Sequence, residues 1–148
     1  MKHSHLTSVL FALIVTSCLM GCLEMTPAHV EFGHDYNGYQ KRVMDTTSSF
    51  KLNDPFAMQL YNEKDFGVDS IDCFVFKGTR EVHGELVFQQ KLAVDSKSGF
   101  LIVRGASQSH LTARGFLRTS TTGSYYIEFR SGAQVLSGKE LQLHSSKE

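Results

Sequence analysis

The feature that most restricts the fold of this 148-residue chain is a succession of short segments with side-chain period two, broken by glycine and serine, from Phe50 to Leu143. Phe56, Met58 and Leu60 alternate with Ala57, Gln59 and Tyr61 after an Asp54-Pro55 turn. Ser70 to Phe76 is dense in β-branched and aromatic residues, and Leu86, Phe88, Gln90, Leu92 and Val94 share one parity. Phe100 to Val103, Leu111 to Leu117, Tyr125 to Phe129 and Gln134 to Leu143 continue the series. Successive strand side chains point to opposite faces, so such alternation describes half-buried strands. Regular spacing and turn-forming breaks describe an antiparallel sandwich or barrel.

The expected fold is therefore all-β, about seven antiparallel strands arranged as an immunoglobulin-like β-sandwich or a small barrel. No tryptophan is present and the body holds a single cysteine, so the tryptophan and cysteine pair that mark antibody domains are missing. Gly115 and Gly138, inside strand-like runs, suit bulges or bends. With 41% hydrophobic residues the chain can fill a core, and its formal net charge of zero gives no global field for nucleic acid. The charge is unevenly spread: Glu24–Asp72 carries nine acidic and four basic residues, Cys73–Glu148 six and ten.

Before the β series lies a different kind of sequence. A basic start, Met1-Lys2-His3, leads into the apolar run Leu6–Cys22, which is interrupted by Thr7, Ser8, Thr16 and Ser17 and is short for a transmembrane helix. Small residues and cysteines close it in two overlapping boxes, Val15-Thr16-Ser17-Cys18 and Leu19-Met20-Gly21-Cys22. This order reads as an export signal. It resembles the signal region of bacterial lipoproteins, in which a cysteine after such a box is lipidated and becomes the mature N-terminus. The resemblance is confined to residues 1–22. Cys22 is the expected lipidation site and Cys18 the alternative, since cleavage before Cys18 leaves Leu-Met-Gly-Cys-Leu beside the acyl chains. Leucine follows the cysteine in either case, and the resemblance then implies the outer membrane rather than the inner, where aspartate is the usual retention signal.

Residues 24–49 carry no convincing period, hold Pro27, Gly33, Asn37 and Gly38, and read as a tether with a reach of about 30 Å if flexible. The expected division is a signal peptide over 1–21, a lipidated N-terminus and tether over 22–50, and a β domain over 51–148.

Motifs of catalysis are scarce. The sequence has no G-x-S-x-G elbow, P-loop, dinucleotide glycine fingerprint or H-E-x-x-H helix. His29 and His34 lie near Glu31 and Asp35 but without a repeated ligand spacing, so solvated loop histidines are expected, with no metal and no cofactor. Asp35-Tyr36-Asn37-Gly38 reads as a turn. Cys73, between Asp72 and Phe74 in a large apolar run, reads as a buried, inert thiol. If His110–Arg118 and Tyr125–Arg130 pair as a hairpin, Arg114, Phe116, Arg118, Tyr126 and Arg130 share an outward face. Arginine beside exposed aromatics is suited to binding carboxylates, phosphates or sugars.

The expected protein is a membrane-anchored envelope lipoprotein with a non-catalytic β domain for binding, adhesion or structure. Its partners are the membrane, through the N-terminal lipid, and an anionic envelope component or a protein, with no nucleic acid. A secreted or periplasmic soluble binding protein or inhibitor is the alternative. An envelope enzyme built on His83 or Asp72 is the third.

Overall fold

The computed structural model describes residues 28–106 and 110–146, and in these residues the period-two segments form strands in two sheets. The first sheet has the order β2-β1-β4-β7, from β1 (His29–Asn37), β2 (Arg42–Thr46), β4 (Ala57–Tyr61) and β7 (Phe100–Val103). The second has the order β3-β9-β8-β5-β6, from β3 (Ser49–Lys51), β5 (Ser70–Gly78), β6 (His83–Ala93), β8 (Gly123–Ser131) and β9 (Gln134–His144). All pairings are antiparallel except β3 with β9, which is parallel through Ser49↔Gln142, Phe50↔Leu143 and Lys51↔His144. The sheets do not close, so the architecture is a sandwich and not a barrel.

The alternation read from the sequence decides which side chains enter the core. On β5 the buried parity is Ile71, Cys73 and Val75; on β8 it is Tyr125, Ile127 and Phe129. Four phenylalanines join the layers: Phe56 lies 5.8 Å from Phe32 and 5.2 Å from Phe50 between ring centroids, and stacks on Phe116 at 4.7 Å. Tyr125, wholly buried at the start of β8, donates its hydroxyl hydrogen to the Thr121 carbonyl at 2.5 Å. This return to the backbone just upstream is the tyrosine corner of immunoglobulin-like sandwiches, which the chain keeps although tryptophan and the cysteine pair are missing.

Three expectations need correction. The stretch read as tether up to residue 50 contains β1, β2 and most of β3, so nine strands stand among the described residues where about seven are expected. Each of these early strands supplies little to the core: Val30 and Phe32 from β1, Val43 from β2, Phe50 from β3. One or two apolar positions are too few to make a visible period. Second, residues 111–117 are not a strand. Ala113–Leu117 forms a short helix, α1, whose buried residues Ala113, Phe116 and Leu117 follow helical i, i+3, i+4 spacing. Thr112 caps it by accepting from the Gly115 N–H at 3.2 Å, and Arg118 closes it in the left-handed region at φ 52°. The Ala113 and Arg114 amides donate to Asp54 and Leu52 carbonyls, both at 3.0 Å, docking the helix on the segment before β4. Gly115 therefore sits in a helix and not at a bulge. Third, β8 pairs with β5 and β9, so the hairpin between 110–118 and 125–130 does not form.

Candidate binding face

Loss of that hairpin divides the five residues expected on one face. Tyr126 and Arg130 lie on the outer side of the five-stranded sheet, Tyr126 buried there at 3% exposure and Arg130 half-buried; Phe116 is buried against Phe56, and Arg114 and Arg118 are exposed at α1. The parity assigned to Tyr126, Glu128 and Arg130 is the observed one; their neighbours are different.

Those neighbours come from β5. Cross-strand register places Phe76 opposite Tyr126, Phe74 opposite Glu128 and Asp72 opposite Arg130. Residues directly opposite share a face, so an aromatic row is built on the outer surface. The His83 ring lies 4.9 Å from Phe76 and 5.0 Å from Tyr126 with small interplanar angles, so it is sandwiched between them. Phe76 in turn stacks on Phe74 at 6.1 Å, and the Arg130 guanidinium caps Phe74 at 4.6 Å. The stack turns ring edges, not faces, outward. Apolar surface continues on both sides, with Leu86 opposite Phe76 on β6 and Val135 opposite Arg130 on β9, 45% and 50% exposed.

Glycine is required beneath this row. A Cβ on Gly138 would run into the Tyr126 hydroxyl and ring, so a side chain there would lift the ring off the sheet. This is the role of a glycine that the sequence marks only as an irregularity. Burial first, and the nearby Glu128 charge second, raise the Tyr126 pKa above the ordinary tyrosine value, so the hydroxyl stays protonated at neutral pH.

Charges on the face are matched internally. Arg130 Nε pairs with Glu128 Oε1, and Lys91 Nζ lies 3.6 Å from Asp72 Oδ1. The Arg80 amide donates to Glu140 Oε1 at 2.9 Å. His83 and Asp72 do not form a catalytic pair: Asp72 lies four positions along β5 from Phe76, on which His83 stacks, a separation on the order of 13 Å. The surface is thus apolar and aromatic with neutralised charge at its margins, a composition suited to a protein surface more than to a free anion.

The remaining candidates lie elsewhere. His29 and His34 are in β1, not in a loop; His34 Nε2 stands 3.8 Å from Asp54 Oδ2 and meets the edge of Phe50. Among the described residues no group of three or more histidine, cysteine, aspartate or glutamate side chains could hold a metal ion. Asn37 Oδ1 accepts from the Tyr39 and Gln40 amides at 3.0 and 2.9 Å, which makes residues 37–40 a turn. Cys73 is buried, and burial pushes its pKa up to about 12. Cys18 and Cys22 lie outside the described residues. Among the described residues no helix is long and apolar enough to cross a membrane.

Neither a protein-family model nor a curated protein matches the chain. Among solved structures it is similar to an immunoglobulin-like protein from Pseudomonas aeruginosa, at 12% identity over 82% of this chain and 99% of that one, with a TM-score of 0.47. It is also similar to the PmoD soluble domain from a Methylocystis species, at 11% identity over 79% and 90%, with a TM-score of 0.43.

Proposed function

We propose that this chain is a lipid-anchored protein of the bacterial envelope whose sandwich acts without catalysis, binding another protein through the outer face of its five-stranded sheet. The observation that carries the binding reading is the aromatic row Phe74, Phe76 and His83, backed by buried Tyr126, held in place by Arg130 and flanked by exposed Leu86 and Val135. Aromatic and arginine side chains presented by a rigid sheet are the anchors from which protein interfaces draw most of their affinity. The anchor reading is supported by the two boxes ending in Cys18 and Cys22, with Cys22 as the preferred site and the outer membrane as the preferred address. Two or more acyl chains hold a soluble domain stably on a bilayer.

Two measurements test the two halves. Metabolic labelling with a palmitate analogue is expected to mark the full chain and to be abolished by combined Cys18→Ser and Cys22→Ser substitution; labelling that survives the double substitution sinks the anchor. Photo-crosslinkers placed in cells at Leu86 and Val135 are expected to give a discrete adduct that a crosslinker at exposed Tyr39, outside this face, does not give. Equal, diffuse adducts from all three positions would remove the face as an interface.

A further inference from the structure

At one flank the sandwich is left open. β6 has eleven residues and forms the edge of its sheet, whereas β7, the edge of the other sheet, has four. The inner face of β6, with Phe88, Gln90 and Leu92 opposite Val75, Cys73 and Ile71, therefore extends beyond what β7 can cover. α1 closes part of the difference by placing Phe116 edge-on to Phe88, 6.1 Å between centroids. Between α1, β6 and β7 remains a cleft of about 250 Å³ that reaches inward to Cys73. It opens along Leu92 and Leu101–Ala106 into a shallower trough.

Leu92, Val103, Leu111 and Phe116 supply the apolar part of the lining and Gln90 is among the polar part; among the described residues the charged ones lining cleft and trough are Arg104 and Arg118. Among the described residues neither arginine has a carboxylate partner. Arg104 lies over the Tyr36 ring at 5.0 Å, and Arg118 lies over Phe88 at 4.9 Å with a hydrogen bond to Gln90 Oε1 at 3.3 Å. Resting a guanidinium on an aromatic face fixes its position while leaving N–H donors at its edge for an anion. A cleft with an apolar strip and two such cations in its lining complements an apolar chain that ends in a negative charge.

We infer that this cleft binds a long-chain fatty acid, with the acyl chain along Leu92, Val103 and Phe116 and the carboxylate held by Arg104 and Arg118. The site is separate from the outer face and does not depend on the lipid anchor or on a protein partner. It also gives a role to Arg118 and Phe116, which the sequence singled out for a different surface.

The test uses the purified full chain and cis-parinarate, a fluorescent 18-carbon carboxylate, below its critical micelle concentration. One saturable site per chain is expected, with displacement by oleate at least ten-fold more effective than by methyl oleate, which keeps the chain and loses the charge. Arg104→Gln with Arg118→Gln is expected to weaken binding by about ten-fold or more, as loss of charge-assisted hydrogen bonds implies. Both side chains are exposed, so the variant keeps the fold, which circular dichroism verifies. Fluorescence that rises without saturating overturns the site. Equal displacement by oleate and methyl oleate, or unchanged affinity in the double variant, overturns the assignment of the arginines to a carboxylate.

Discussion

Glu128 and Arg130 form an ion pair of unequal halves, and the inequality predicts which partner the fold tolerates losing. The Glu128 side chain is 6% exposed and the Arg130 side chain 34%. Removing one member of a fully buried pair costs about 3–5 kcal/mol because the other is left charged and desolvated. Here water reaches the pair from the arginine side, so Arg130→Met should cost about 2 kcal/mol, including the lost stack on Phe74 at roughly 0.5–1 kcal/mol. Glu128→Gln should cost less, about 1 kcal/mol, because the amide oxygen can still accept from Nε and a one-third exposed guanidinium retains some hydration. Arg130→Lys should fall between, keeping the charge and losing the planar stack. Urea unfolding followed by tyrosine fluorescence, unobscured because the chain has no tryptophan, reads these differences directly. With a slope of about 2 kcal/mol per molar, Arg130→Met should lower the midpoint by about 1 M. The double variant should be less destabilised than the sum of the singles by about 1 kcal/mol. An Arg130→Met cost at or below that of Glu128→Gln would refute the reasoning.

Two further outcomes follow from single atoms in the core. Tyr125→Phe should lower stability by about 1 kcal/mol through loss of the hydroxyl bond to Thr121, with no change in the urea slope; a neutral effect would show that the corner does not anchor the α1–β8 connection. Cys73, with its pKa pushed up to about 12, keeps its proton in the folded chain at pH values where the unfolded thiol has lost it. Its contribution is thus fully present below pH 9 and is lost between about pH 9 and 12 at up to about 1.4 kcal/mol per pH unit. Stability measured across that window should fall less steeply in Cys73→Ala than in the parent, and identical slopes would count against the burial argument.

The strands most plainly legible in the sequence are the two with three core side chains on one parity. β5 and β8 announce themselves because Ile71, Cys73 and Val75, and Tyr125, Ile127 and Phe129, all face the same layer. β3 could not be read, since a three-residue strand with only Phe50 buried has no period, and its hydrogen bonds come from the far end of the chain. Leu111, Ala113, Gly115 and Leu117 mimic alternation, but backbone docking on Leu52 and Asp54 favours a helix. Local spacing cannot report contacts made across sixty positions, so tertiary context overrides it. The candidate face shows the same division. The outward parity of Tyr126 and Arg130 was readable from β8 alone, whereas their neighbours required knowing that β5, not residues 110–118, lies beside β8. The burial of Glu128 was invisible for the same reason.

The parallel pairing of β3 with β9 has a consequence for the order of assembly. Ser49 Oγ and His144 Nε2 lie 2.8 Å apart although 95 positions separate them in sequence. Made from its N-terminus, the chain holds β3 without its strand partner until β9 has been added. Pairings of such long range are slow to form. Deleting residues 142–144 would therefore release β3 along with the end of β9. The first strand of the second sheet is secured only once its last strand has been made.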